Sequence, residues 1–315
     1  MTQASFTGTR EAFSRGLYEL AQQDDQVTFV AADSLMAVKS FEFAAAYPER
    51  FFDVGIAEQH AVGFAAGLAT CGLKPWVGTY AGFITMRACE QVRTFVAYPE
   101  LNVKFVGLNG GIYGGEREGV THQFFEDLAI MRAIPGMDVV VPCDAEQVRK
   151  ATHAMGMRDG PGYLRVGSGR EPIIFDDDMG FEFGKARIIK DYGTDAAVFV
   201  CGPVLARVMK AADQLKEAGI GIKVVEVHTL KPLDSDFITE VLEETTVAVS
   251  VEDHTVIGGL GSAIAEVIAE RAPAKLTRLG LQDVFPESGD AEALLDAYGM
   301  SINGIADAVK KALNA

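Results

Sequence analysis

The chain has 315 residues, 49% of them hydrophobic, with 28 Lys and Arg against 44 Asp and Glu, a net charge of -16. That length suits two domains of roughly 100–200 residues each. The acidity argues against nucleic acid and against anionic membrane surfaces, which both demand positive charge. No apolar run reaches the about 18 residues of a membrane span, and the first residues show no basic-then-apolar signal pattern. Cys71, Cys89, Cys143 and Cys201 are scattered, without a Cys-x-x-Cys. They read as reduced, buried thiols of a cytoplasmic protein. The five histidines show no metal-ligand spacing.

Helical spacing of Ala12, Phe13, Leu17 and Leu20 predicts a helix over 8–22, followed by a strand at Val27–Ala31. Short apolar runs alternating with helices mark parallel strands buried on both faces. The alternation continues with a small-residue helix at 57–71, Trp76-Val77, a turn-like stretch from Gly78 to Phe83, and a helix over about 84–98. A strand at 102–107 leads into a glycine-rich loop at 109–119, then a short helix to about Arg132. A strand at 138–142, a helix capped by Asp144 and a strand at 162–166 complete the first half. The acidic stretch Phe175–Gly180 reads as a linker, with a small hairpin possible up to Tyr192. Beyond it come strands at 196–201, 222–228, 246–251 and 276–280, separated by helices, with helices closing the chain. The fold expected is α/β with two doubly wound domains, 1–180 and 181–315, the first mainly a parallel sheet and the second smaller.

The helix at 57–71 carries one acid, Glu58, beside Ala57, Ala61, Gly63, Ala65, Ala66, Gly67 and Ala69. Each glycine weakens a helix by about 1 kcal/mol relative to alanine, a cost tolerated where another backbone approaches closely. A buried acid at a helix start is a functional candidate, or else a core helix whose dipole favours Glu at its N-terminus. The glycine-rich loops lack a phosphate-binding signature: no Gly-Lys-Ser/Thr occurs. Gly258-Gly-Leu-Gly-Ser262 is either an anion site at a helix start or a plain turn. Glu118 and His122, four apart in a loop, form a candidate acid–base pair, or His122 caps the next helix. Phe83, in a glycine-rich turn, is core or faces a flat ligand ring. His60 reads as a packed structural histidine, and His254 as either an interface residue or a satisfied surface histidine.

Together these segments resemble the thiamine-diphosphate-dependent transketolase family. The resemblance rests on Val54-Gly-Ile-Ala-Glu-Gln-His60, Ala65-Ala-Gly-Leu68, Tyr80-Ala-Gly-Phe83, Glu118-Gly-Val-Thr-His-Gln123, Asp159-Gly-Pro161 and Val251-Glu-Asp-His254 with Gly258-Gly-Leu-Gly261. It covers the pyrimidine-binding and C-terminal domains, and is similar also to 1-deoxyxylulose-5-phosphate synthase. The family's Gly-Asp-Gly and Asn-Asn, which hold magnesium and the diphosphate, do not occur in these 315 residues. The resemblance therefore implies the C-terminal subunit of a split transketolase. Its partner would carry the diphosphate half and the magnesium, and the chain itself would dimerise. Implied roles are Glu58 on the aminopyrimidine nitrogen, where it must hold or share a proton, Phe83 stacked on the ring, and Asp33 and Tyr80 beside the cofactor. Glu118 would bind a substrate hydroxyl and His122 sugar hydroxyls or the phosphate end, with His122 also catalytic. Arg10, with Arg165 near the Asp-Gly-Pro turn, would take a substrate phosphate. Departures from the family are Asn109 for its histidine, Ala37 for its serine and Ser168 near its arginine. Ketol transfer is the activity implied. Synthase-like chemistry, 2-oxo-acid decarboxylation and a non-catalytic assembly role are the alternatives.

Overall fold

The structure, a computed structural model, describes residues 8–114, 118–175 and 179–314. Twelve strands are named in chain order: β1 (Val27–Ala31), β2 (Phe51–Asp53), β3 (Lys74–Tyr80), β4 (Lys104–Leu108), β5 (Asp138–Val140), β6 (Gly162–Arg165), β7 (Arg187–Asp191), β8 (Ala196–Val200), β9 (Ile222–Glu226), β10 (Thr229–Lys231), β11 (Val247–Thr255) and β12 (Lys275–Leu281). They form a seven-stranded sheet, β10-β5-β6-β4-β3-β1-β2, and a five-stranded sheet, β12-β11-β8-β9-β7. Among the described residues only β10 on β5 and β7 on β9 pair antiparallel. The expected doubly wound α/β architecture is therefore present in both halves.

Each apolar run serves two cores, because successive strand residues face opposite sides. Phe29, Trp76, Val106, Val140 and Leu164 join Phe13 and Leu17 of the helix Thr9–Gln23 on one face. Val30, Val77, Phe105, Val139 and Tyr163 join Ala61, Val62 and Ala65 of the helix Glu58–Thr70 on the other. That second cluster continues without a break into Phe199 and Val225 of the smaller sheet. Burying each large side chain contributes about 1.5–3 kcal/mol. Asp144 caps the helix Ala145–Gly156 as expected, accepting from Gln147 N–H at 2.9 Å. Its other oxygen accepts from Ile174 and Phe175 N–H, fastening the chain just before the two halves divide.

Several local expectations give way to longer-range pairing. The stretch from Gly78 is not a turn: β3 runs through to Tyr80. Among the described residues no hairpin forms before Tyr192, because β7 pairs with β9 instead. The linker expected at Phe175–Gly180 falls partly, at 176–178, outside the described residues. The expected helix over 84–98 is mostly π-helical, at Phe83–Arg87 and Val92–Ala97. Cys71 is exposed and Cys89 half-buried; only Cys143 and Cys201 are buried thiols. His60 is exposed rather than packed inside, with its ring 6.1 Å from that of Phe64. Among the described residues no helix is long and apolar enough to cross a membrane.

His228 sits where the chain passes from one sheet to the other. Its ring lies 4.3 Å from that of Phe181, and Nδ1 meets Thr229 Oγ1 at 2.9 Å. Burial, helped by the Arg187 charge, holds its pKa down at about 3. The unfolded chain takes up this proton near pH 6.5 and the folded chain does not. Stability from this group is thus lost as pH falls below about 6.5, at about 1.4 kcal/mol per pH unit. In urea unfolding between neutral pH and about pH 5, His228→Gln is expected to lose less stability than the parent, by close to one proton's slope. Parallel acid limbs in parent and variant would refute this.

Candidate active site

The carboxyl ends of β1, β3, β4 and β6 lie side by side, the edge where open parallel sheets bind ligands. Most of the residues singled out in the sequence leave from this edge. Asp33 follows β1 with φ 51°, exposed, its amide donating to Asp53 Oδ1 at 2.9 Å. Tyr80 ends β3, and Phe83 opens the π-helical turn. The loop after β4 brings in Asn109; residues 115–117 of that loop lie outside the described residues. Glu118 is exposed. The His122 ring stands 5.1 Å from Tyr80 and 5.4 Å from Phe83, edge-on to both. Phe124 closes the group at 5.5 Å from Phe83. A Cβ on Gly82 would come within 2.0 Å of the Phe124 ring, so only glycine lets this turn seat against it. His122 Nδ1 meets Thr121 Oγ1 at 3.0 Å, a partner other than the expected Glu118.

Glu58 opens its helix with only 3% of its side chain exposed. Its Oε1 accepts from Arg87 Nη1 at 2.9 Å. The same guanidinium lies over the Phe83 ring, with Cζ 4.1 Å from the centroid. A flat N–H donor thus sits between the buried acid and the aromatic face. Arg87 did not stand out in the sequence. The signal was its place four residues after Phe83, on the same side of a helical turn.

Arg10, in the first turn of its helix, donates Nε to Gly167 O at 3.2 Å and Nη1 to Ala37 O at 3.3 Å. Its Nη2 donates to Asn109 Oδ1. These acceptors are all neutral, so the guanidinium is anchored while its positive charge stays available to an anion. Burial lowers its pKa, opposed by the more distant charges of Tyr80, Glu171 and Glu118.

Arg165 departs from its expected place. Its side chain is 3% exposed, with Nε 3.1 Å from Asp127 Oδ2 and Nη1 3.0 Å from Asp253 Oδ1. Nη2 donates to the carbonyls of Phe124 and Asp253, both at 3.2 Å. Both carboxylates are buried, so this fork is filled from within and does not face a substrate. The partner Asp253 belongs to β11, which extends to Thr255 where a loop was expected. Burial pushes Asp253 up to about 6, against the pull of Arg165. It pushes Glu252 up to about 7, against the amides of Gly261 and Leu260. His254, buried beside them, is held down at about 3. Glu252 accepts from Leu260 N–H at 2.7 Å and Gly261 N–H at 2.8 Å. The start of helix Leu260–Glu270 is thus capped by the chain's own carboxylate. The Gly258–Ser262 loop is a capped turn.

A two-domain α/β protein with its candidate site on the carboxyl edge of a parallel sheet is the class these features define. Residues 7–169 match the transketolase pyrimidine-binding domain and residues 184–305 the transketolase C-terminal domain. The chain belongs to the transketolase family. It is 40% identical over 304 residues to a putative transketolase C-terminal section of Methanocaldococcus jannaschii, covering 96% of this chain and 95% of that protein. It is 39% identical over 298 residues to the 6-deoxy-6-sulfo-D-fructose transketolase subunit SqwH of a Clostridium species, covering 94% of this chain and 91% of that one. Among solved structures it is similar to a split gene transketolase described as an inactive beta4 tetramer. The TM-score is 0.90 at 40% identity, over 98% of both chains.

Proposed function

We propose that this chain is the C-terminal subunit of a two-chain, thiamine-diphosphate-dependent transketolase. It would move a two-carbon ketol unit between a ketose, probed first as its phosphate, and an aldose. The observation that carries this reading is the buried Glu58 carboxylate beside the Phe83 face, with a planar N–H donor fitted between them. An aminopyrimidine is likewise flat, and it carries a ring nitrogen that can meet the carboxylate as the guanidinium N–H does. The near end-to-end match to a relative that is itself named a C-terminal section supports the division into subunits.

Thiamine diphosphate, when bound, supplies an electron sink for carbon–carbon cleavage. With it bound, Glu58 would share a proton with the pyrimidine ring nitrogen, and Phe83 would stack on the ring. Tyr80 and Asp33, at the ends of β3 and β1, would border it. Arg10 holds the anionic end of the substrate, and His122 with Glu118 takes its hydroxyls, His122 also moving a proton. Magnesium and the diphosphate fall to a partner subunit with the diphosphate-binding domain, in the cytoplasm.

The helix Glu58–Thr70 supports self-association. Among the described residues, and apart from the helix's own backbone, nothing lies within 4 Å of a Cβ built on Gly67. The backbone whose approach the glycines would permit belongs, in this reading, to a second copy. Exposed Ile56, Met86, Phe95 and Tyr98 flank the same region. The two domains divide at 180/181 in this reading.

The reaction class is tested by supplying the complex with a ketose phosphate and an aldose, and in parallel with pyruvate and an aldehyde. Ketol transfer without carbon dioxide release is the expected result. Carbon dioxide released from pyruvate would favour the synthase-like alternative.

A further inference from the structure

Arg87 holds the two groups that the cofactor reading gives to the aminopyrimidine. It donates to Glu58 Oε1 and covers the Phe83 ring. A guanidinium is planar, bonds a carboxylate edge-on and stacks on aromatic faces. It therefore mimics a protonated flat heterocycle in both contacts. The two partners differ in mobility: the Glu58 side chain is 3% exposed and that of Arg87 is 48% exposed. The backbone beneath the arginine is fixed. Gln59 Nε2 donates to Arg87 C=O at 3.1 Å, and Ala88 N–H closes the π turn onto Phe83 C=O at 3.2 Å. Such π turns concentrate at functional sites. The acid and the backbone stay in place, and the guanidinium has solvent to swing into.

We propose that Arg87 is a gate for the pyrimidine end of the cofactor. Its guanidinium stands in the place that the cofactor reading gives to the ring, and it turns outward when the ring enters between Glu58 and Phe83. The proposal rests on the cofactor reading above. It makes Arg87 and the cofactor competitors for the same carboxylate and the same ring face. Loss of the arginine should therefore tighten binding, the reverse of what an ordinary ligand-contacting residue shows.

The test is calorimetric titration of thiamine diphosphate with magnesium into the complex of this chain and a subunit carrying the diphosphate-binding half. Arg87→Gln is expected to lower Kd by about five-fold, the scale of one half-exposed charge pair. Arg87→Lys, which keeps charge but loses the planar fork, should fall between parent and Arg87→Gln. The ratio of parent to Arg87→Gln should shrink in high salt, which screens such a pair. Equal or weaker binding by Arg87→Gln overturns the gate while leaving the cofactor reading intact, provided Glu58→Gln weakens binding. No binding by the parent complex overturns both. Thermal melting of the free variants checks their folding, which a half-exposed side chain should leave unchanged.

Discussion

Glu58→Ala is expected to remove ketol transfer by the assembled enzyme, lowering kcat by about a thousand-fold, the range lost with a positioned proton-transfer group. The side chain is buried at the start of its helix, and among the described residues its hydrogen-bond partner is the guanidinium of Arg87. Alanine in its place leaves that arginine facing solvent, so folding should barely change. Cofactor affinity should fall much less than kcat, because the diphosphate end is gripped by the partner subunit. Steady-state kinetics at saturating cofactor would separate the two effects. A variant within tenfold of the parent would show that Glu58 is an ordinary first-turn acid favoured by its helix dipole.

Arg165→Met is expected to destabilise the chain by about 3–5 kcal/mol, the usual result of stripping a buried charge pair of one partner. Methionine keeps much of the arginine's stem volume, so the loss is electrostatic rather than a cavity. Two buried carboxylates, Asp127 and Asp253, would be left facing each other, together with the unanswered carbonyls of Phe124 and Asp253. Burial already raises both acids. They can escape by protonation, so the destabilisation should shrink as pH falls and grow as it rises. Urea unfolding across that range gives the measurement, with midpoint and slope fitted separately. A change under about 1 kcal/mol would place the cluster among buried networks that contribute little net stability. KM for substrate in the folded fraction should be nearly unchanged, in contrast to Arg10.

The parallel strands were legible because a strand covered on both faces must be apolar throughout: Val27–Ala31 and Ala196–Val200 could serve little else. Asp144 was legible as a cap because its partner is three residues away. Glu58 announced itself as the one acid in a helix of small residues. What stayed hidden depends on partners distant in sequence. Nothing local in Thr229–Lys231 says that it will pair with β5, across the division between the halves. Arg165, at a strand end near the site, reads as a substrate residue until Asp253, 88 residues on, fills its fork. Glu252, Asp253 and His254 look like a polar loop because charged residues rarely continue a buried strand. Here Arg165 and the amides of the next helix make that continuation possible. Arg87 was hidden for the opposite reason. It is half exposed, like most arginines, and only the fold shows what it covers.

The measurement that bears most directly on the proposed division of labour is ketol transfer by this chain alone, by the diphosphate-binding subunit alone, and by the two mixed at the same thiamine diphosphate and magnesium concentrations. Activity in the mixture only is the expected result, since Glu58 and Phe83 stand on one chain and the diphosphate grip on the other. Turnover by this chain alone, or a fully loaded mixture inert toward every ketose phosphate and aldose pair supplied, would contradict it.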